Sequence, residues 1–367
     1  VTSNAHLIAQ LEGLDSRWAD AMRAVPRHLF IPDRAWCSPD DGPGYLIDRI
    51  ADPDGWMDAV YSNTAIVTQL DDGTSELSAG SGDYTSSCSM PSIVAAGLDL
   101  LDPYDGDEVL EIGTGTGWTA GLLAHRLGDG NVTSVEIDQA VLTAATLNLK
   151  NAGRLPRLVL GDGSAGWPDG EPYDRVHVTC GVDEVPHAWV EQTRPAGLIV
   201  FPWMPRWEAG HLTRLTVTGD GTAVGRFYRG CSFMMLRSQR RGVPKAAGDY
   251  RESSTYLDPR RIVRSSGGAD VAVAGMIPDL NGRHADEDNG EFHLWLWSDD
   301  SDAQVHYSPE YKRVAVLQRG PRDLWNELEA AFLWWVSSGS PGRDRFGLIV
   351  TPEGQHVWLD SPENVIR

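Results

Sequence analysis

Residues 84–91 read YTSSCSMP. Thr85, Ser86, Ser87 and Ser89 crowd four short hydroxyls around one thiol, Cys88, just before a proline that is tolerated in the first turn of a helix. Such side chains bury little apolar surface. They can, however, donate hydrogen bonds to a carboxylate without adding a competing charge. A second cluster follows in VLEIGTGTGW, where Gly113, Gly115 and Gly117 alternate with Thr114 and Thr116 between a strand pattern and a helix pattern. Glycines in that position let the backbone approach a ligand, and the helix start behind them offers free N–H groups and positive potential. Glu136 ends the next strand, nineteen residues after Gly117, with Ile137 behind it. An acid there can accept both hydroxyls of a ribose. Asp162 and Gly163, in LGDG, follow the third strand, where a carboxylate can accept from an adenine amino group.

Which nucleoside ligand these residues suit is decided by the acids. A dinucleotide turn reads G-x-G-x-x-G; here the third glycine comes one residue early and Glu111 lies two before the first. A carboxylate at that point opposes a pyrophosphate and suits a ligand carrying an ammonium and a sulfonium, so S-adenosyl-L-methionine is expected over NAD. Blander readings stand beside this one. The glycines could form a mere tight turn, Asp162 a common Asp-Gly turn, and one of the serines could cap the helix that begins at Pro91.

The surrounding pattern supplies the elements that must hold these groups. Short apolar runs (EVLEIG, VTSVEID, PRLVLGDG, YDRVHVTCGV, GLIVFPW) alternate with helical stretches (WTAGLLAHRL, AVLTAATLNLKNAG), which means a parallel sheet covered by helices. Residues 6–24 read as one amphipathic helix, and 91–101 as another. Residues 33–83 read as loop, with one strand in TAIVTQL. HLTRLTVTGDGTAVGRFYRG predicts an antiparallel hairpin that closes the first domain near residue 236. Beyond it, VAVAGMI, FHLWLW and RVAVLQ read as strands. Leu324, Trp325, Leu328, Ala331, Phe332 and Trp335 mark a helix with Pro321 in its first turn, and FGLIVTPEGQHVWLD reads as a last hairpin. The expected organisation is a catalytic domain over 1–238 (a helical and loop segment over 1–90, then the cofactor-binding sheet over 91–238), a linker over 239–252, and a smaller α+β domain over 253–367.

Composition narrows the partners. At 367 residues, 41% hydrophobic and 23% charged, the chain has the make-up of a folded protein. A formal charge of −21 argues against nucleic acid or an anionic membrane surface. Residues 237–264 run the other way, with eight basic residues against three acids, and could cradle an acidic peptide or simply be a solvated linker. Cys37, Cys88, Cys180 and Cys231 are scattered, so free thiols in a reducing cytoplasm are expected. The opening VTSNAHLIAQLEGL lacks the basic and apolar regions of a signal peptide, and a cytoplasmic location is expected. His28, His177, His187 and His211 show no ligand spacing, so no metal is expected.

These motifs together resemble the protein-L-isoaspartate O-methyltransferases. AMRAVPRHLFIP resembles that family's N-terminal signature and SMPSIVAAGLDLL its Ser-x-Pro helix start, and VLEIGTGTGW, VEID, GDGSAGW and YDRVHVTCGVDEVP follow in the family's order over roughly residues 15–235. The resemblance implies a Rossmann-like S-adenosylmethionine-dependent methyltransferase fold. It implies that Gly113, Thr114, Gly115, Glu136 and Asp162 contact the cofactor, and that Ser89 sits beside the substrate carboxylate and the methyl donor. Glu111, Thr116, Gly117, Ile137 and Gly163 complete the expected cofactor site; Ser87 joins Ser89 at the reaction, with Thr85, Ser86 and Met90 on the substrate side. Met90 stands where the family usually has a glutamine-like residue, TAIVTQL replaces its Leu-Pro-Ile-Gly segment, and the residues after 236 exceed its usual length. These departures resemble the branch found beside lasso peptides, lanthipeptides and graspetides. That branch implies methylation of an aspartate in a ribosomally made peptide, leading to aspartimide. Ordinary repair of isoaspartyl residues is the alternative expectation, and a non-catalytic peptide-binding scaffold is the alternative of another class.

Overall fold

The structure is a computed structural model that describes residues 3–208, 210–240 and 246–367, with Ala79 described by its backbone alone. It divides into two compact units, one of Val1–Cys180 with Pro186–Phe201, the other of Gly181–Val185 with Pro202–Arg367. None of the described helices is long and apolar enough to cross a membrane.

The first unit opens with two helices, α1 (Asn4–Gln10) and α2 (Ser16–Ala24), where one was expected. Gly13 adopts the left-handed conformation at φ +71°, and the Asp15 side chain accepts from the Arg17 N–H to start the second helix. A glycine turn and a fresh N-cap split what periodicity alone joins. The stretch expected to be loop is also largely ordered. Strands β1 (Arg34–Ser38), β2 (Tyr45–Asp48), β3 (Ala65–Leu70) and β4 (Tyr84–Cys88) form an antiparallel sheet in the order β2-β1-β3-β4, with α3 (Pro53–Val60) between β2 and β3. These strands are four to six residues long and interrupted by Asp, Gly and Pro, so each carries too little alternation to be read alone.

After α4 (Pro91–Leu101) comes the expected alternation: β5 (Val109–Ile112), α5 (Trp118–Leu127), β6 (Val132–Glu136), α6 (Gln139–Asn151), β7 (Arg157–Leu160), β8 (Tyr173–Val178), α7 (His187–Glu191) and β9 (Thr193–Trp203). The strands stand in the order β9-β8-β5-β6-β7, and each neighbouring pair is parallel. All four residues of β5 are buried, as a central parallel strand requires. Order 9-8-5-6-7 reverses direction at β5, which places the crevice at the carboxyl end of β5, where the glycine turn begins.

The second unit contains a hairpin, β10 (Gly210–Val217) with β11 (Ala223–Cys231), and β12 (Arg251–Thr255), α8 (Arg260–Val263), α9 (Gly267–Met276), β13 (Asn281–Asp286), β14 (Phe292–Trp297), β15 (Asp302–Tyr307), β16 (Val314–Arg319), α10 (Leu324–Ser337), β17 (Phe346–Thr351) and β18 (Gly354–Leu359). A five-stranded antiparallel sheet runs in the order β12-β16-β15-β14-β13. Three expectations are corrected here. The boundary expected after 238 falls earlier, because β11 pairs with β17 from the end of the chain (Ala223 opposite Val350 to Arg226 opposite Gly347) and draws its hairpin into this unit. Within the expected linker, residues 241–245 lie outside the described residues, and β12 already begins at Arg251. VAVAG is helix, not strand: Val271, Ala272, Val273 and Ala274 are all buried, and a helix covered on every side has no period to show. The α10 face is as expected, although the helix starts at Leu324, so that Pro321 precedes it.

One buried side chain ties the first unit's two layers together. Arg27 is fully buried and, among the described residues, meets no acid. Its Nη1 donates to the carbonyls of Val60 (2.7 Å) and Ser62 (3.2 Å), and its Nη2 to those of Thr64 (2.7 Å), Cys88 (3.0 Å) and Ser89 (3.0 Å). The guanidinium also lies over the Trp118 ring, 5.4 Å from its centroid. Losing it strands several buried carbonyls, each costing about 1–3 kcal/mol. We therefore expect Arg27→Met to destabilise the protein by about 3–5 kcal/mol, the range for breaking a buried charged network. Arg27→Lys should recover only part of that, because an ammonium lacks the planar fork. Urea unfolding measures both, and a loss below about 1 kcal/mol for Arg27→Met would remove the clamp from this account.

Candidate active site

Strand β4 splits the hydroxyl run between two faces, since successive side chains alternate. Ser86 and Cys88 are buried, whereas Thr85 and Ser87 are half-buried. Two of the hydroxyls are committed to structure. Thr85 Oγ1 donates to Gln69 Oε1 (2.9 Å) and accepts from the Asp72 N–H (3.1 Å); Ser86 Oγ accepts from Thr68 Oγ1 (3.2 Å). The other two, on Ser87 and Ser89, take no hydrogen bond among the described residues, while Arg27 fixes the backbone on either side of them through the Cys88 and Ser89 carbonyls. The capping alternative for the serines does not hold. Met90 is the N-cap residue of α4 and makes no side-chain cap, and the open Ser92 N–H donates instead to Asn63 Oδ1 (2.9 Å).

The glycine turn is held from below. Gly113, Gly115 and Gly117 have φ of +90°, +53° and +91°, which only glycine adopts freely. A Cβ on Gly113 would lie 2.7 Å from Thr179 Oγ1, whose hydroxyl donates to the Gly113 carbonyl. The Gly115 N–H donates to Glu136 Oε2 (2.9 Å), and the Asp138 N–H to Glu136 Oε1 (3.1 Å). Burial pushes the Glu136 pKa up, and those N–H donors pull against it. Beneath the turn, Thr114 Oγ1 shares a hydrogen bond with Ser134 Oγ (2.7 Å), which donates to Glu111 Oε2 (2.5 Å). Glu111 is fully buried and its Oε1 has no partner; burial pushes its pKa up to about 8, against the opposing Ser134 hydrogen bond. Its link to the turn therefore runs through Ser134 and Thr114, not by direct contact.

Turn and hydroxyl strand meet. The Ser87 carbonyl lies 3.4 Å from where a Cβ on Gly115 would stand, so a side chain there would press on β4. A cleft of about 290 Å³ opens beside this contact, lined by Ser86, Gly115 and Thr116 with Thr68, Gln69 and Asn148. Of the expected residues Ser86, Gly115 and Thr116 line it, and Ser87, Ser89 and Glu136 do not. Asp162 accepts from the Ser164 N–H (2.9 Å) at the end of β7, the local turn of the blander reading. A Cβ on Gly163 would lie 2.5 Å from Ile112 Cγ2, and the Gly163 carbonyl accepts from Trp189 Nε1 (2.8 Å). Ile137 is exposed, and Met90 starts α4.

Sequence reasoning missed Thr68, Gln69, Asn63, Ser134 and Thr179, whose roles come from partners far along the chain. Arg27 stood inside the VPRHLF motif, but nothing local marks its five acceptors. A further trio, Glu291, His293 and His306, has ligand atoms within 4.8 Å of one another in the second unit. Cross-strand pairing of His293 with His306 brings it together, which histidine spacing along the chain does not reveal.

The family model described as protein-L-isoaspartate(D-aspartate) O-methyltransferase matches residues 57–241. The protein-L-isoaspartate O-methyltransferase of Methanopyrus kandleri is 33% identical over 240 residues, spanning 63% of this chain and 89% of that protein. The one from Methanosarcina mazei is 29% identical over 227 residues, spanning 61% and 76%. A solved structure named protein-L-isoaspartate O-methyltransferase superposes with a TM-score of 0.55 at 22% identity, covering 98% of this chain and all of its own.

The buried acid gives a pH test. Because the folded pKa of Glu111 lies above its unfolded value of 4.5, the folded state holds the extra proton between 4.5 and about 8. Its contribution is complete below that window and is lost as pH rises through it. Glu111→Gln cannot titrate, so wild-type stability should fall relative to the variant by up to about 1.4 kcal/mol per pH unit. Urea unfolding of both proteins from pH 5 to 8 measures the difference. Parallel pH profiles would mean that Glu111 stays ionised.

Proposed function

The chain belongs to the protein-L-isoaspartate(D-aspartate) O-methyltransferase family, and from that premise we propose that it methylates the free carboxylate of isoaspartyl residues in proteins or peptides, with S-adenosyl-L-methionine as donor. The observation that carries this reading is the contact of β4 with the glycine turn, the Ser87 carbonyl lying 3.4 Å from the place of a Cβ on Gly115, whose φ is +53°.

The residues fit such a donor. Gly113 and Gly115 let Thr179 and the Ser87 carbonyl close on the turn, and the Glu136 carboxylate keeps lone pairs for a ribose after taking the Gly115 and Asp138 N–H groups. When bound, the cofactor supplies a methyl carbon made electrophilic by its sulfonium. A carboxylate is ionised at neutral pH, so the protein need not remove a proton. It must orient one oxygen and keep water away. On this reading Ser87 and Ser89 donate to the carboxylate, with Thr85 and Ser86 fixing the strand through Gln69 and Thr68. Glu111, through Ser134 and Thr114, steadies the turn.

The expectation that put aspartimide formation first has less support. The relatives reported carry the isoaspartate name, and so does a solved structure that spans 98% of this chain, so residues beyond 236 do not by themselves set it apart. Methylation of an unmodified aspartate stays a second reading on one observation, the substrate-side surface at Thr68 and Gln69. These residues line the cleft beside Gly115 and a second cleft of about 260 Å³ under residues 73–78, where this sequence departs from the family pattern.

Two peptides of one sequence, differing only in an isoaspartyl or aspartyl linkage, separate the readings by mass spectrometry. Methylation of the isoaspartyl peptide alone is expected; methylation of only the aspartyl peptide, followed by loss of methanol, would replace the first reading with the second. We also expect Ser89→Ala to lower kcat by about tenfold to a hundredfold, the cost of one hydrogen bond to a charged group, with S-adenosylhomocysteine binding little changed. Glu136→Ala should weaken that binding in calorimetric titration. Undiminished turnover in Ser89→Ala removes the serine from the reaction, and unaltered affinity in Glu136→Ala removes the ribose contact.

A further inference from the structure

Three cations of the basic stretch that the sequence offers as a cradle for an acidic peptide are answered within the chain. Arg251 pairs with Asp323 (2.7 Å), Arg260 with Asp258 (2.7 Å), and Arg264 with Asp286. Two further cations, Lys312 and Arg313, lie elsewhere in the second unit. A cleft of about 620 Å³ at the β12–β16–β15 end of the five-stranded sheet is lined by Ser253, Ser254, Tyr256, Lys312 and Arg313, among others, and by no acidic residue. Arg313 donates from Nε (3.1 Å) and Nη2 (2.9 Å) to Tyr256 Oη and from Nη1 to Ser254 Oγ (3.2 Å), with its guanidinium 4.7 Å from the Tyr256 ring centroid. Among the described residues neither Arg313 nor Lys312 forms an ion pair.

We propose that this cleft docks an acidic segment of the peptide or protein substrate. The proposal rests on the methyltransferase reading above and adds to it a recognition site built from residues of the second unit. Three features favour a peptide. The Arg313 fork is planar and already stacked, so its remaining N–H capacity can meet a carboxylate at little ordering cost. Tyr256 and Tyr311 stand 74% and 69% exposed at the same cleft, and tyrosine with arginine is the pairing that carries binding energy at protein interfaces. Serine hydroxyls on β12 can donate to carboxylates, and the absence of a lining acid removes the repulsion that an anionic segment meets across the rest of a chain of charge −21.

The test uses the full chain and a fluorescein-labelled, glutamate-rich decapeptide, followed by anisotropy. Binding that weakens tenfold or more in an Arg313→Ser, Lys312→Ser double variant, by a smaller factor in Arg313→Lys, which keeps the charge and loses the fork, and is kept in Lys150→Ser, supports the cleft; Lys150→Ser removes one positive charge from the other unit. Equal affinity in the double variant overturns it. Inorganic phosphate that binds as tightly as the peptide would mean a small-anion site and overturns peptide docking. A kinetic arm separates this proposal from the one it rests on. An isoaspartyl peptide with a glutamate-rich tail should have a lower KM than the same peptide without it, and the double variant should erase that difference at unchanged kcat. Turnover of the tailless peptide with no tail effect in wild type would leave methyl transfer standing and remove the docking site.

Discussion

A guanidinium buried among carbonyls is the constraint on which the candidate site depends. Among the described residues Arg27 meets no acid, so its stability comes from hydrogen bonds to the carbonyls around it and from the Trp118 ring. That arrangement is demanding, because a buried charge is tolerated only when its donors are satisfied. Its acceptors belong to three segments: the end of α3 and the loop behind it, the start of β3, and the junction of β4 with α4. Trp118 is the first residue of the helix behind the glycine turn. One side chain thus sets the hydroxyl strand and the ligand turn in a common frame. Trp118 adds a second tie, its Nε1 donating to the Val25 carbonyl at 3.1 Å.

The turn itself is held by oxygen atoms, not by apolar packing alone. Thr179 reaches from the end of β8, Ser134 from β6, and Glu136 from the end of β6 to the Gly115 N–H. A glycine-rich turn has high conformational freedom, and burying polar neighbours around it restricts that freedom at the cost of desolvating them. Glu111 shows the cost most clearly. Its carboxyl is removed from water to support a serine, and its pKa rises accordingly.

The sequence was most informative where regularity is long. The parallel βα alternation, the glycine turn and the α10 face all emerge from period and spacing, and the structure has them at those residues. It was least informative where structure depends on distant partners. The sheet of β1 to β4 consists of strands too short to declare themselves, and β3 and β4 pair through irregular register at Thr68 and Thr85. The VAVAG segment alternates like a strand but consists of small buried residues that pack equally well as a helix. The boundary shifted because β17 pairs with β11 from more than a hundred residues away, a contact that composition does not report. At the site, the hydroxyl types were legible, but their division into committed and uncommitted pairs depends on Gln69, Thr68 and Asp72, and so on the fold.

Aspartyl and isoaspartyl substrates present the same reacting group, an ionised carboxylate, and differ in where the main chain leaves the residue. On the proposed reading the cradle and the serine hydroxyls would meet only the common part, which gives them no means of separating the two. Discrimination must come from surfaces that touch the main chain beside the carboxylate. On the same reading the candidate surface is the β3 irregularity, whose Thr68 and Gln69 line the cleft beside Gly115, and the loop behind it is built with some strain. Asp71 and Asp72 have φ of +46° and +53°, and the loop is closed by hydrogen bonds in both directions between Asp71 and Asp83. Non-glycine residues in that conformation each carry an energetic cost, which persists only where the surroundings fix them. Thr85 is one of the groups doing so, through the Asp72 N–H, and the same hydroxyl holds Gln69 at the cleft. Loop and strand are therefore coupled: Thr85 joins the loop to Gln69, whose Nε2 in turn donates to Asp138 Oδ2 (3.4 Å). This is the physical route by which one methyl-transfer apparatus could be kept while its choice of carboxylate is changed.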